Sequence, residues 1–352
     1  MNKNLIIRAD VSVKIGTGHV MRCIALAQAW QDQDGDVTFM SHCDSETLRQ
    51  RILDEGFDFI PIEKPYPDPD DLHSTLEILS AMSQQLSATR PWLVLDGYHF
   101  APDYQKAIRG NGYKLLVIDD MAHLDHYHAD ILLNQNIQAP SLRYSYDKDT
   151  VKLLGCEYAL LRREFLKYKD WKRKIPEKAQ KILVTMGGSD PYNVTLKVIR
   201  ALNSLNVTDL DVRIVVGPAN PNIKSLENEL HLSPFIFHLL HGVGDMSELM
   251  AWADMAVSAG GSTCWEMCFM GLPTILIVTA DNQEGIVAGL DEMGVGNSLG
   301  WFSEVSVLNI SRSLNCICQD HRTREMMSLR GNKLIDGNGA SRVINVMKDV
   351  AN

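Results

Sequence analysis

The chain has 352 residues, of which 45% are hydrophobic and 22% charged, with a formal net charge of -10. That is the composition of a globular protein with enough core for two ordinary domains. The acidic balance excludes a nucleic-acid surface, which needs a basic stripe, and the absence of a long apolar run excludes a membrane span. No basic leader precedes an apolar stretch at the N-terminus, so a cytoplasmic setting is expected. The seven cysteines form no Cys-x-x-Cys pair and are expected to be reduced and mostly buried. Cys264 and Cys268 stand one helical turn apart, but no second ligand pair with zinc spacing accompanies them.

In chain order, the apolar run Leu5-Ile6-Ile7 leads into Ile15-Gly16-Thr17-Gly18-His19-Val20-Met21-Arg22, and helical spacing follows from His19 to Trp30. A glycine turn between a strand and a helix presents backbone N–H groups to an anion. His19 then stands at the mouth of the first β-α unit, the usual site position in an open α/β sheet. Met21 occupies the place of the third glycine of a dinucleotide fingerprint, and no Gly-Lys-Ser/Thr follows. Nicotinamide, flavin and Walker-type sites are thereby rejected.

Val37–Met40 reads as a strand, Glu46–Glu55 as a helix ended by Gly56, and Leu72–Ala88 as an amphipathic helix. Trp92–Asp96 and Lys114–Asp120 are continuous apolar runs ending in carboxylates, and Ile131–Asn134 is a further strand. Such runs suit parallel strands covered on both faces. The segment Ala122–Asp130 holds three histidines and two aspartates. It lacks a helical His-x-x-x-His with a catalytic Glu, so it reads as a solvated loop, and no metal is expected. The basic run Arg162–Lys181 reads as an interdomain linker with a solvated charged face.

The second half restarts with the strand Lys181–Met186, the turn Gly187-Gly188-Ser189-Asp190, and a helix from Val194 to Leu205. Ser189 or Asp190 is placed to cap that helix. Further strands are expected at Val212–Val216, Phe235–Leu240, Asp254–Ser258 and Pro273–Val278, with a helix from Met246 to Ala253. A third glycine turn, Ala259-Gly260-Gly261-Ser262-Thr263, opens the helix Thr263–Met270. Thr263 with Glu266 forms either a plain capping box or part of a ligand site. In the second case the turn binds a diphosphate and Glu266 accepts two hydrogen bonds from a ribose diol. Asn282 and Gln283 arrive at the same edge, where amides can read sugar hydroxyl or acetamido groups. The tail from Gly331 to Val350 ends in a helix expected to pack back on the first domain.

Three separated motifs agree: Arg8-Ala9-Asp10 with Ile15–Arg22, Gly187–Asp190, and Ser258–Glu266 followed by Asp281-Asn282-Gln283. Together they resemble the UDP-sugar hydrolases of pseudaminic acid biosynthesis, a family similar in fold to the MurG-like glycosyltransferases. Lesser echoes are Ile118-Asp119-Asp120, Leu132–Asn136 and Tyr158–Arg162, so that the resemblance spans most of residues 5–345. It implies an α/β protein of two Rossmann-like domains with parallel sheets facing across a cleft, the GT-B fold. The domains are expected at 1–170 and 171–335, with a returning C-terminal helix at 336–352. The implied substrate is a UDP-linked 2,4-diacetamido-2,4,6-trideoxy sugar, with no cofactor and no metal. His19 is the implied base that deprotonates an attacking water, with Asp10 or another carboxylate at the strand ends orienting it. Gly16, Thr17, Gly18, Arg22 and Tyr98 would position sugar or phosphate. Val243 would offer backbone groups to uracil and Glu266 would hold the ribose. Gly188, Ser189, Ser262 and Thr263 would face the diphosphate, and Asn282 and Gln283 the sugar. Rival readings are a glycosyltransferase, an epimerase, or a non-catalytic nucleotide-sugar binder of the same fold. The oligomeric partner is left open, and a monomer is compatible with the sequence.

Overall fold

The computed structural model describes residues 4–12, 15–85, 90–205, 209–231, 233 and 235–351. The chain forms two compact units, Met1–Arg163 with Asn338–Asn352, and Glu164–Gly337.

The first unit contains β1 (Asn4–Ala9), α1 (Gly18–Gln31), β2 (Asp36–Ser41), α2 (Glu46–Asp54), β3 (Asp58–Pro61), α3 (Pro69–Gln85) and β4 (Trp92–Asp96). It continues through α4 (Pro102–Gly110), β5 (Lys114–Ile118), β6 (Ile131–Asn134) and β7 (Val151–Leu154). The expected end of the third helix at Ala88 lies outside the described residues. The strands make one parallel sheet in the order β3-β2-β1-β4-β5-β6-β7. Ile6 of β1 faces Thr38 on one side and Leu93 on the other. Chain order therefore reverses between β1 and β4, the point where an open sheet leaves a crevice at its C-terminal strand ends. All five residues of β4 are buried, as a strand covered by helices on both faces requires.

A short helix, α5 (Arg163–Leu166), lies at the boundary, and the second unit follows. Its elements are β8 (Lys181–Thr185), α6 (Val194–Asn203), β9 (Asp211–Val216), α7 (Ile223–His231), β10 (Ile236–His241), α8 (Met246–Trp252) and β11 (Met255–Ala259). Then come α9 (Thr263–Phe269), β12 (Thr274–Val278), α10 (Asp281–Glu292), β13 (Gly296–Trp301), α11 (Val307–Gln319) and α12 (His321–Leu334). The parallel sheet order is β10-β9-β8-β11-β12-β13, with the reversal between β8 and β11. β11 and β12 are wholly buried, while the edge strand β10 is half-exposed. Among the described residues no helix is long and apolar enough to cross a membrane.

The basic run Arg162–Lys181 is not the uniformly solvated face that its charge suggests. Arg162 is buried, and Arg173 donates to the backbone carbonyls of Met250, Ala253 and Met270. Those carbonyls lie at the ends of α8 and α9, where a helix has spare acceptors that a fork of N–H donors can fill. Burial lowers the Arg173 guanidinium to about 10.

The last helix, α13 (Gly339–Ala351), belongs to the first unit. Its Val343, Ile344 and Met347 are fully buried in one cluster with Val20, Ile24 and Ala27 of α1. Gly339 opens this helix against backbone: an added Cβ would lie 2.2 Å from the Ala159 carbonyl oxygen and 2.6 Å from its nitrogen. Backbone cannot rotate away as a side chain can, so overpacking here sits at the costly end, about 3 kcal/mol. Gly339→Ala is therefore expected to lower the melting temperature by roughly 5–10 °C, read by calorimetry. An unchanged melt would mean that the α13 contact is not tight.

Candidate active site

The first residue of interest is set by the loop after β1. Gly16 takes a left-handed φ of 79°, a conformation that costs glycine little. The chain then enters α1 with Thr17 at the N-cap, and the Thr17 side chain makes no cap bond. His19 is the second residue of that helix and is 7% exposed.

The neighbouring strand supplies its partner. Asp96, the last residue of β4 and fully buried, lies with Oδ1 2.6 Å from His19 Nδ1. Arg22, one helical turn along α1, donates Nε to Asp96 Oδ2 at 2.6 Å and Nη2 to Oδ1 at 2.7 Å. Its Nη1 reaches Asp120 Oδ1 at 2.7 Å, just past the end of β5. Asp120 also accepts from Tyr98 Oη at 2.5 Å and from Asn136 Nδ2 at 2.6 Å. The rings of Tyr98 and His19 meet edge to face with centroids 4.8 Å apart. One network thus ties together the C-terminal ends of β4, β5 and β6 and the start of α1, on the crevice side of the sheet.

Arg22 Nη2 also lies 3.3 Å from His19 Nδ1. Both groups cannot donate to each other, and the shorter carboxylate contact takes the Nδ1 proton. Asp96 thus selects the tautomer in which Nε2 carries the lone pair. Burial alone would push the Asp96 carboxyl up, but Arg22 and then His19 outweigh it and hold the group well below the usual carboxylate range. Burial also lowers the Arg22 guanidinium, yet Asp120 and Asp96 raise it well above its ordinary value. Tyr98 is raised by burial and by Asp120 and stays a neutral phenol.

Asp10 is not the orienting carboxylate. It pairs with Arg8, accepts from His42 N at 2.7 Å and lies 3.0 Å from His99 Nε2. The fully buried Arg8 extends the group to Asp71, which also accepts from Tyr104 Oη at 2.8 Å. These partners lie in β1 and α3 or follow β2 and β4, so Asp10 is fully engaged away from His19. Asp96, another strand-end carboxylate, stands beside His19 instead, and Asp120 and Asn136, present in the sequence only within the lesser echoes of the resemblance, complete the network. The trace they leave is the apolar run ending in a polar residue.

Burial raises the Asp10 carboxyl, but His99 and Arg8 outweigh it, leaving the group at about 2. Its folded value lies below its unfolded value near 3.9. The stability it contributes is therefore complete above pH 4 and lost as pH falls toward 2. Asp96 acts with the same sign. Melting temperature is expected to fall steeply between pH 4 and pH 2. In Asp10→Asn the stability lost over this range should be smaller by on the order of 2 kcal/mol, giving a shallower acid slope. Equal slopes in the two proteins would show that Asp10 carries no such linkage.

In the second unit the residues after β8, β10, β11 and β12 share one sheet edge, because all its strands are parallel. After β8, Gly187 has a φ of 80°, and Gly188 and Ser189 are half-buried. Asp190 caps the start of α6, accepting from Val194 N, Thr195 N and Thr195 Oγ1 at 2.6–2.9 Å. Gly217 after β9 must be glycine, since a Cβ would lie 2.3 Å from the Gly188 carbonyl oxygen. Val243 follows β10 and is half-buried.

After β11, Ser262 is the N-cap of α9 and its side chain makes no cap bond. Thr263 is the first residue of α9 rather than its N-cap, so a capping box of Thr263 and Glu266 is displaced from the helix start. Ser262 and Thr263 are half-buried and Glu266 is 9% exposed. Gln283 Oε1 accepts from Gly260 N, Thr279 N and Thr279 Oγ1. It ties the loop after β12 to the glycine turn after β11, and only its amide N–H₂ remains to meet a ligand. Asn282 beside it is half-buried. The residues named from the sequence thus fall in two groups, each at the C-terminal strand ends of its own unit.

Residues 182–287 match the glycosyltransferase family 28 C-terminal domain. The chain is 28% identical over 299 residues to a UDP-2,4-diacetamido-2,4,6-trideoxy-beta-L-altropyranose hydrolase of Campylobacter jejuni, covering 82% of this chain and 97% of the other. It is 23% identical to the spore coat polysaccharide biosynthesis protein SpsG of Bacillus subtilis over 97% of both chains. An uncharacterized Methanocaldococcus jannaschii protein, MJ1062, is 26% identical over 282 residues; the match spans 78% of this chain but 55% of that longer one. Among solved structures, Acinetobacter baumannii MurG aligns over 98% of this chain and 99% of its own at TM-score 0.66 and 14% identity. S. aureus MnaA with UDP aligns over 98% and 96% at TM-score 0.67 and 13% identity. The two parallel α/β units are thus a GT-B fold, and the resemblance read from the three glycine turns is borne out.

Proposed function

We propose that this GT-B chain, a relative of the UDP-2,4-diacetamido-2,4,6-trideoxy-β-L-altropyranose hydrolases, hydrolyses a UDP-linked 2,4-diacetamido-2,4,6-trideoxy sugar at its anomeric carbon. The observation that carries the reading is the pair His19–Asp96, which holds an imidazole with a free Nε2 at the crevice edge of the first sheet. General-base catalysis needs such a group, and histidine supplies one that cycles its proton near neutral pH.

In this mechanism Nε2 of His19 takes a proton from water as the water oxygen bonds to C1. The C1–O bond breaks on the opposite face, UDP leaves with the bonding electron pair, and configuration at C1 inverts. Asp96 offsets the positive charge that develops on the ring. The imidazolium then releases its proton to solvent, so that UDP-sugar and water give UDP, free sugar and a proton. The N–H groups of the turns at Gly188 and Ser262, with the hydroxyls of Ser189, Ser262 and Thr263, receive the diphosphate. Glu266 takes the ribose, Val243 the uracil, and Asn282 with the Gln283 amide N–H₂ the sugar. Arg22 is spent on two carboxylates, so its part is to position Asp96. Tyr98 sits against the His19 ring and lines the sugar side, with Gly16, Thr17 and Gly18 at the helix entrance. The setting of such a reaction is nonulosonate biosynthesis.

The glycosyltransferase family 28 domain and the MurG likeness favour one second reading, transfer of a UDP-amino sugar to an acceptor. Incubating the UDP-linked diacetamido sugar with the purified chain and no acceptor separates the two. Stoichiometric UDP and free sugar, with the opposite anomer seen first by NMR, is the expected result. UDP release that requires an added saccharide or lipid acceptor would sink hydrolysis in favour of transfer.

A further inference from the structure

The three histidines of residues 122–130 do not share one role. His123 is used twice over, with Nδ1 3.1 Å from Asp119 Oδ1 and Nε2 3.0 Å from the Tyr98 carbonyl. His126 and His128 flank Tyr127, which pairs with Tyr146 in an isolated parallel bridge. Tyr127 is buried and donates its hydroxyl to Asp119. Successive extended residues alternate faces, so His126 and His128 share the other face, with Ser145 and Asp147 beside them across the bridge.

On that face His126 Nε2 and His128 Nδ1 each lie 3.0 Å from the same oxygen, Asp147 Oδ1. The three atoms all fall within 4.8 Å of one another. We propose that His126, His128 and Asp147 form a binding site for a divalent transition cation of the Zn²⁺ class.

The distances are the first support. Zinc binds imidazole nitrogen and carboxylate oxygen at roughly 2.0–2.2 Å in a tetrahedron, which puts its ligand atoms roughly 3.3 Å apart. The two nitrogen-to-oxygen separations need only a few tenths of an ångström of adjustment. Donor chemistry is the second: two imidazoles and one carboxylate select zinc and its first-row neighbours over magnesium or calcium, which prefer oxygen.

The surroundings are the third. Ser145 Oγ lies 2.8 Å from His126 Nδ1, and an Nδ1–H donated to that oxygen leaves Nε2 as the ligand nitrogen, the usual role of a second partner on a metal-bound histidine. Arg109 Nη1 holds the other carboxylate oxygen, Asp147 Oδ2, at 2.6 Å, an oxygen that His128 Nδ1 also approaches at 3.1 Å, and Oδ1 is the oxygen turned to both imidazoles. The ligand side chains are a quarter to a third exposed, and His128 and Asp147 border a surface cavity of about 440 Å³. That leaves room for water in the remaining position.

The site is independent of the UDP-sugar reading, and its test is binding. The untagged chain, stripped with EDTA and dialysed, is titrated with ZnCl₂ by calorimetry and with CoCl₂ by visible absorption. One equivalent is expected to bind, weakened at least tenfold in the His126→Gln/His128→Gln variant and less in Ser145→Ala, with melting temperature in EDTA showing that each variant is folded. Absence of saturable binding, or equal affinity in the double variant, overturns the proposal. Should the double variant not fold, Ser145→Ala decides: unchanged zinc affinity there overturns it.

Discussion

His19→Asn is expected to cut UDP release by roughly 10²–10⁴-fold, the share that a positioned general base supplies, while UDP-sugar affinity stays close to that of the parent. Asparagine is chosen for its shape. Its amide nitrogen stands near the place of Nδ1 and can still donate to Asp96, so the buried carboxylate and Arg22 keep their partners. What disappears is Nε2, the atom proposed to take the proton from water. The proposed UDP contacts lie in the other unit, so the loss should fall on kcat with KM little changed, as for an interaction made only in the transition state. Turnover within a factor of about two of the parent would remove His19 from the mechanism. A large rise in KM with kcat intact would instead make it a binding residue.

The fold was legible where burial is two-sided. Trp92–Leu95 and Ile275–Val278 are unbroken apolar runs, and each makes most of a fully buried inner strand. It was less legible at some sheet edges, although the half-exposed edge strand β10 was read from its own residues. β7 (Val-Lys-Leu-Leu) and β13 (Gly-Asn-Ser-Leu-Gly-Trp) are edge strands with one side open, and neither needs an apolar run. The pairing of β12 with β13 also shifts register between Leu276 and Val278, which removes any simple alternation. α4, α7 and α10 are amphipathic or weakly apolar segments that only their tertiary packing defines.

The site divides in the same way. The turn Gly16-Thr17-Gly18-His19 is a contiguous signal, because one strand-to-helix junction builds it. The partner of His19 is separated from it by 77 positions and is fixed by the adjacency of β1 and β4, a fact about strand order. The resemblance implied Asp10 or another strand-end carboxylate; the neighbours of Asp10 after β2 and β4 claim it, and the carboxylate beside His19 is the one that ends β4. Arg173 shows the same limit for a linker: its charge announced solvent, while three helix-end carbonyls drew it in.

Asp96→Asn should do two things at once, and their separation decides what Asp96 is for. The carboxylate accepts from Arg22 Nε on one oxygen and from His19 Nδ1 and Arg22 Nη2 on the other. An asparagine can offer only one oxygen. If that oxygen serves Arg22 Nε, the amide N–H₂ faces Nδ1, which must then accept. The ring proton moves to Nε2, and the base is blocked. Turnover is expected to fall by roughly 10²–10⁴-fold, the same loss expected when the base itself is removed. The structural cost is separate. Arg22 is buried and keeps only Asp120 as a counter-ion, and breaking a buried ion pair costs about 3 kcal/mol or more. Melting temperature should drop by several degrees, and UDP affinity measured by calorimetry below the new melt should be unchanged. A Cys23→Ala control, which removes the 3.4 Å thiol contact to the same carboxylate together with some packing in the core, should leave turnover close to the parent. If Asp96→Asn melts early but turns over at the parental rate, Asp96 is a buried counter-ion for Arg22 and has no part in setting the His19 tautomer. If turnover collapses in protein that remains folded and still binds UDP, the carboxylate acts through the imidazole.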